Sequence, residues 1–321
     1  MTLRPFRLLV LCISLMIPAA LCAVVLFLAG YAGQAISFNG LHFLWDVNWN
    51  LGDLYGDPVT VNGITIPPGA EYGVLAFIAG TLASSGLAIF IAVPLSVGAA
   101  IFLAEAVPVL ENHARDRLSW LPPIRPALAM LVELVAVVPS VVFGLWGIAV
   151  LVPFLGHYIS PTGNGYGLLA AAIVLALMIT PIIASTLYDA LLQVPKENRE
   201  SAFALGSTHF EVVTKAMMPM VRSTLAGGIV LALGRALVET MAVLMVSGGG
   251  LNMLPTSLFS PISTIASFIV SQLDSAESDP TSMSVKALAE IAFVLFIITL
   301  AVNVAAKLLS SGALNVRSRK A

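Results

Sequence analysis

The chain has 321 residues, of which 59% are apolar and 10% charged, with a net charge of −2. A soluble domain runs nearer ~25% charged, so too few polar side chains exist to cover a water-facing globule, and a bilayer must act as the solvent. The near-zero charge and the lack of a basic run also exclude disorder and a nucleic-acid-binding surface.

A spanning helix needs ~20 mostly apolar residues. Residues 8–30 supply the first such run without a charge. Arg4 and Arg7 precede it, as in a secretory signal. The run is longer than a usual signal core, and Leu21 beside Cys22 suits a lipoprotein cleavage site poorly, so an uncleaved anchor is expected. Cys12 and Cys22 match no metal or redox spacing and are read as packing residues. The outer loop 31–71 carries Asp46, Asp53, Asp57 and Glu71 but no basic residue. Its Trp45, Trp49 and Tyr55 suit a membrane interface. Residues 59–66 alternate around Asn62-Gly63 between Pro58 and Pro67, which predicts a small β-hairpin on a type I′ turn. That hairpin is either a stabilised loop or part of a docking surface for an external partner.

The second run, 72–104, is too long to cross perpendicularly, at ~50 Å against a hydrocarbon core of ~30 Å. Either Pro94 kinks it or its end projects into the cytoplasm. An inner connector, 107–126, follows. Residues 134–188 contain no Asp, Glu, Lys or Arg, and turn residues at 153–167 divide them into a third and a fourth helix. Pro139 and Gly144 are expected to bend the third. Residues 224–246 and 287–306 complete six spans. The outer loop 247–286 is rich in Ser, Gly and Pro, with room for a short helix.

Thirteen of the 15 basic residues fall on one side if the N-terminus is cytoplasmic; Lys286 falls outside, and Arg235 lies within a span. The positive-inside rule therefore predicts both termini inside. The expected fold is all-α with six spans: an anchor helix with its outer loop (1–71), a transmembrane domain (72–311) holding the other five spans and a cytoplasmic loop at 189–223, and an inner tail (312–321). His42, His113, His157 and His209 are scattered, so no metal site is expected. No Ser–His pair or two-His motif lies at membrane depth, so neither catalytic residues nor a cofactor are expected.

The loop 189–223 is the most informative. Pro195 suits a helix start, with Glu197 and Glu200 at the positive end of the dipole. Gly206 suits its stop. Ser207 or Thr208 suits the cap of a second helix ending before Pro219. Small Ser201, Ala202 and Ala204 beside apolar Phe203 and Leu205 allow close entry into a groove. The plain alternative is an amphipathic element lying on the membrane surface.

The fifth run holds Arg235 and Glu239. A charge near the midplane is costly and marks function by default. On one helix, a spacing of four puts both on one face. Either they neutralise each other, or Arg235 lines a pathway and meets an anion, with Glu239 orienting it. A guanidinium fork suits phosphate. Glu239 is able to accept from a protonated phosphate, which sulfate does not offer. Glu133 and Glu290, near span ends, are read as snorkelling or pairing residues.

Glu200-Ser201-Ala202, then Gly206, then Pro219, resembles the E-A-A…G signature of ABC-transporter permease subunits. Ser201, Ala216 and Met218 depart from it with size or apolarity roughly kept. The resemblance implies a type I-like importer permease of the bacterial inner membrane, with a coupling helix docked on a cytoplasmic ATPase through Glu200, Ala202, Leu205 and Gly206. The chain has no Gly-x-x-x-x-Gly-Lys-Ser/Thr of its own. Leu233-Gly234-Arg235-Ala236-Leu237-Val238-Glu239-Thr240-Met241-Ala242-Val243 is similar to a block of phosphate-specific transport permeases, the PstC type. Gly40 to Trp49, Ala92 to Gly98 and Val138 to Gly147 resemble it too. Val238 replaces a usual glycine. This likeness implies an ATP-driven phosphate importer in which this subunit lines half the pathway, with Arg235 and Glu239 on it. Its partners would be ATPase subunits, a second permease of the PstA type and an extracytoplasmic phosphate-binding protein. A permease for molybdate or sulfate and a secondary anion transporter are the alternatives.

Overall fold

The computed structural model describes residues 3–53, 56–61, 64–111, 124–272 and 282–318. Six helices are long and apolar enough to cross a membrane. The first, α1 (Leu3–Asn39), outruns the predicted span and passes into a 3₁₀ turn, Gly40–Leu44. Most of its apolar side chains are exposed, as lipid-facing residues should be. Cys12 and Cys22 are exposed too, which corrects their reading as packing residues. An edge helix presents only a stripe of its surface to the bundle, and neither cysteine lies on that stripe.

The outer loop builds a small platform. β2 (Val59–Val61) pairs antiparallel with β3 (Ile64–Ile66), with Thr60 opposite Thr65. This is the predicted hairpin; its turn, Asn62-Gly63, lies outside the described residues. A second pairing was not foreseen: β1 (Trp49–Asn50) joins β4 (Glu71–Tyr72) and closes the loop at its base. Two-residue strands carry no sequence period, so no pattern announces them.

The second spanning helix, α2 (Leu75–Glu111), has 37 residues. At 1.5 Å per residue it reaches about 55 Å, far beyond the ~30 Å hydrocarbon core. It continues past Pro94 and contains a π-turn at Phe102–Ala106. Pro94 does not end the helix, whose length exceeds the hydrocarbon core. Residues 112–123 of the predicted connector lie outside the described residues. Next, α3 (Ile124–Val137) has no buried residue. It stops before Pro139, and α4 (Ser140–Tyr158) starts anew. Pro139 thus separates two helices rather than bending one, because its ψ of 138° is extended.

The centre is α5 (Leu168–Leu192), with most of its residues buried, packed along α2. Ser96 Oγ donates to the Thr180 carbonyl at 3.0 Å where they cross. On the cytoplasmic side comes α6 (Lys196–Ala204), then α7 (His209–Leu237), with a π-turn at Val212–Met217. The expected stop before Pro219 does not occur. Pro219 sits in the first turn after the π-turn, where its missing N–H is tolerated.

Beyond α7 the chain forms α8 (Met241–Val246), an outer loop and α9 (Ile265–Ser271), the expected short helix. Residues 273–281 lie outside the described residues. The last helix, α10 (Met283–Ser318), runs well past residue 306 and into the predicted tail. The outer loop caps α5: Leu168 N–H donates to Ser260 O at 3.0 Å and Leu169 N–H to Leu258 O at 2.8 Å. Asn252 clamps it to the platform, accepting from Trp49 N–H at 2.6 Å and donating to Trp49 O at 3.2 Å. Trp49, Tyr72, Phe77 and Phe268 form an aromatic cluster beneath.

Candidate functional site

The fifth span is broken. α7 ends at Leu237, Val238 caps it with φ −103°, and α8 restarts at Met241. No glycine or proline marks the break. Tertiary packing explains it: α8 must seat on two glycines of α4. A Cβ at Gly144 would come within 2.6 Å of Met245 Sδ, and one at Gly147 within 2.6 Å of Val246 Cγ1. Small residues let the two helices approach this closely. Val238 has an ordinary φ and is 47% exposed, so this backbone does not require glycine there.

The break corrects the expectation that Arg235 and Glu239 share one helical face. Arg235 lies in the last turn of α7, exposed and at the favourable negative end of the dipole. Glu239 lies beyond the cap and is buried, 9% exposed. Among the described residues no ion pair joins them, and no hydrogen bond reaches the Glu239 carboxylate. Mutual neutralisation is therefore not what the fold builds. Non-helical backbone at membrane depth is tolerated only where protein covers it or a wet cavity meets it.

Asn303 is a residue the sequence reading passed over. It lies on α10, and a Cβ on Gly234 would sit 3.3 Å from its Oδ1. Its signal was a lone amide in an apolar run. Glu290 is buried and accepts from Asn39 Nδ2 at 2.7 Å, the expected pairing role. It edges an apolar cavity of about 630 Å³ between α1, the 3₁₀ turn, α2 and α10, which Arg235 does not line. Glu133 is exposed on α3.

On the inner face, Pro195 caps α6 and Gly206 ends it with φ +82°, as predicted. Thr208 starts α7 in a capping box: its Oγ1 accepts from Glu211 N–H at 3.3 Å, and its N–H donates to Glu211 Oε2 at 3.1 Å. Glu200, Leu205 and Gly206 are exposed, Leu205 to 88%. Phe210 nearby is 76% exposed. Ala202 differs: it is half-buried and packs on the inner apolar cluster of Ala104, Leu187, Val213 and Met217. Large apolar side chains exposed on a water-facing segment mark an interaction surface.

Residues 117–313 match the family model described as binding-protein-dependent transport system inner membrane component. The chain is 45% identical over 291 residues to the phosphate transport system permease protein PstC 1 of Mycobacterium bovis, covering 85% of this chain and 82% of that one. It is 36% identical over 307 residues to the phosphate transport system permease protein PstC of Pasteurella multocida, covering 90% and 85%. Among solved structures, it is similar in fold to the MetNI methionine ABC transporter in an inward-facing conformation. The TM-score is 0.54 at 16% identity, covering 74% of this chain and 95% of that one.

Proposed function

We propose a function from one premise: the chain belongs to the binding-protein-dependent transport permeases, and within them to the phosphate-specific PstC type. It is a multi-pass inner-membrane protein and the permease subunit of a phosphate-importing ABC transporter. It is a transport subunit and performs no covalent chemistry of its own. Association with the other components of such a transporter follows from the family.

The finer reading concerns residues and partners. Arg235 meets phosphate on the pathway, at the interface with a second, PstA-type permease. Its guanidinium donates two parallel hydrogen bonds, which suits a tetrahedral oxyanion. Glu239, buried beside the same break, accepts from the protonated oxygen of the substrate. The observation that carries this reading is the break itself. It leaves an arginine of the fifth apolar run exposed in the single subunit, without the carboxylate partner its spacing offered. A charge so placed is too costly to keep without a ligand or a water-filled path.

ATP is hydrolysed by separate ATPase subunits that receive α6, with Glu200, Leu205 and Gly206 at the contact and Ala202 seating the helix on its own domain. Nucleotide binding there shifts the two permeases between inward- and outward-facing states. An extracytoplasmic phosphate-binding protein delivers substrate at the outer platform. Uptake of radiolabelled phosphate, challenged with excess sulfate or molybdate, tests the substrate. Uptake suppressed by sulfate as strongly as by phosphate would refute phosphate specificity.

A further inference from the structure

The helix α6 has nine residues, none of them buried. So short a helix is not stable alone. It needs fastening to the membrane domain, and burial supplies little. Ala202 rests on the inner cluster, and Asn198 Nδ2 lies 3.4 Å from Met220 Sδ. One charged contact is directional: Arg199 Nη2 donates to Glu105 Oε2 on α2, 94 residues away in the chain. Among the described residues this is the only ion pair that α6 makes.

Glu105 stands inside the π-turn Phe102–Ala106, near the C-terminal end of α2. Its other oxygen, Oε1, is buried without a hydrogen bond. The carboxylate therefore leans on Arg199. As a source of stability such a pair is poor, since desolvation offsets most of the attraction. As a mechanical link it is well placed. The π-turn is a local register shift of a kind that recurs at functional sites. A second π-turn, Val212–Met217, follows α6 along the chain. α6 thus meets one π-turn through Arg199 and packs against the other.

We infer that Arg199 and Glu105 form a strut that carries displacement of α6 into the second spanning helix, alongside the covalent route into α7. This rests on α6 being the element that receives the ATPase. Arg199 and Glu105 are positioning residues that act through the helices they join. The side chains touch neither substrate nor nucleotide in this assignment.

The test uses the assembled transporter in a host lacking its own phosphate permeases, with uptake normalised to recovered complex. Arg199→Ala should assemble and still hydrolyse ATP, while maximal uptake falls about tenfold or more at an unchanged half-saturating phosphate concentration. Arg199→Lys should keep roughly a third of the rate. The reversed pair, Arg199→Glu with Glu105→Arg, should regain what each single change loses. Unchanged uptake in Arg199→Ala, or a reversed pair no better than its singles, would overturn the strut. If Arg199→Ala fails to assemble, Glu105→Gln removes the buried charge and should show the same uptake loss; normal uptake there also overturns it. Leu205→Asp separates the two readings. ATPase lost from Leu205→Asp with normal uptake in Arg199→Ala defeats the strut alone, and full ATPase recovery with Leu205→Asp defeats the docking of α6.

Discussion

Arg235 and Glu239 stand four residues apart, yet the helix ends between them, leaving the arginine exposed and the glutamate buried. The chain separates a pair that its own spacing would have joined. A continuous helix would have let them neutralise each other. The break releases the guanidinium toward whatever faces this helix from outside the subunit.

Replacement of Arg235 by Ala should abolish phosphate uptake while the complex still assembles. The side chain is exposed, so its loss should alter stability by no more than about 0.5 kcal/mol. Arg235→Lys keeps the charge but not the fork and should retain only a small fraction of the rate. Uptake assays together with subunit recovery check this. Wild-type uptake by Arg235→Ala would remove the residue from the pathway.

Glu239→Gln keeps the shape of a buried side chain that has no hydrogen-bond partner among the described residues. Its thermal midpoint in detergent should match or exceed that of the parent, because an amide costs no more to bury than a carboxyl group. Phosphate uptake should nevertheless fall about tenfold, equivalent to ~1.4 kcal/mol of lost interaction. Normal uptake would assign Glu239 a purely structural role.

On the inner face, Leu205 and Ala202 should fail differently. Leu205→Asp places a charge on a side chain that is 88% exposed, so the permease should fold normally and lose its ATPase on purification. Ala202→Glu pushes against the inner cluster and should loosen α6 itself, seen as proteolysis near Gly206 before any ATPase is added. Equal proteolysis of both variants would contradict the distinction.

Two glycines provide a packing control. A Cβ at Gly165 would lie 1.9 Å from the Val152 carbonyl oxygen, so Gly165→Ala should destabilise by about 1–3 kcal/mol or more. Gly227, in α7, has nothing within 4 Å of its Cβ position. Gly227→Ala should be neutral or stabilising by up to ~1 kcal/mol, since alanine favours helix. Thermal unfolding of the two variants in one detergent decides the order.

Much of this was legible in the residues. Hydropathy set six spans, because a bilayer demands long apolar helices and little else. The placement of the basic residues predicts both termini inside. Val59 to Ile66 announced a hairpin, and Pro195, Gly206 and Thr208 announced the ends of α6 and the start of α7, because turn and cap chemistry is local. The sequence by itself thus determined the membrane class, the span count, both ends of α6 and the start of α7. Only the tertiary structure decided the break at Val238, the turn of Ala202 toward its own domain, and the bond from Arg199 to Glu105. Each depends on a neighbour distant in the chain: Gly144 and Gly147 under α8, Met217 and Leu187 beneath Ala202, and a π-turn 94 residues away. Local propensity is written residue by residue, but the competition between a helix's own ladder and a glycine notch on another helix is settled only when the two meet.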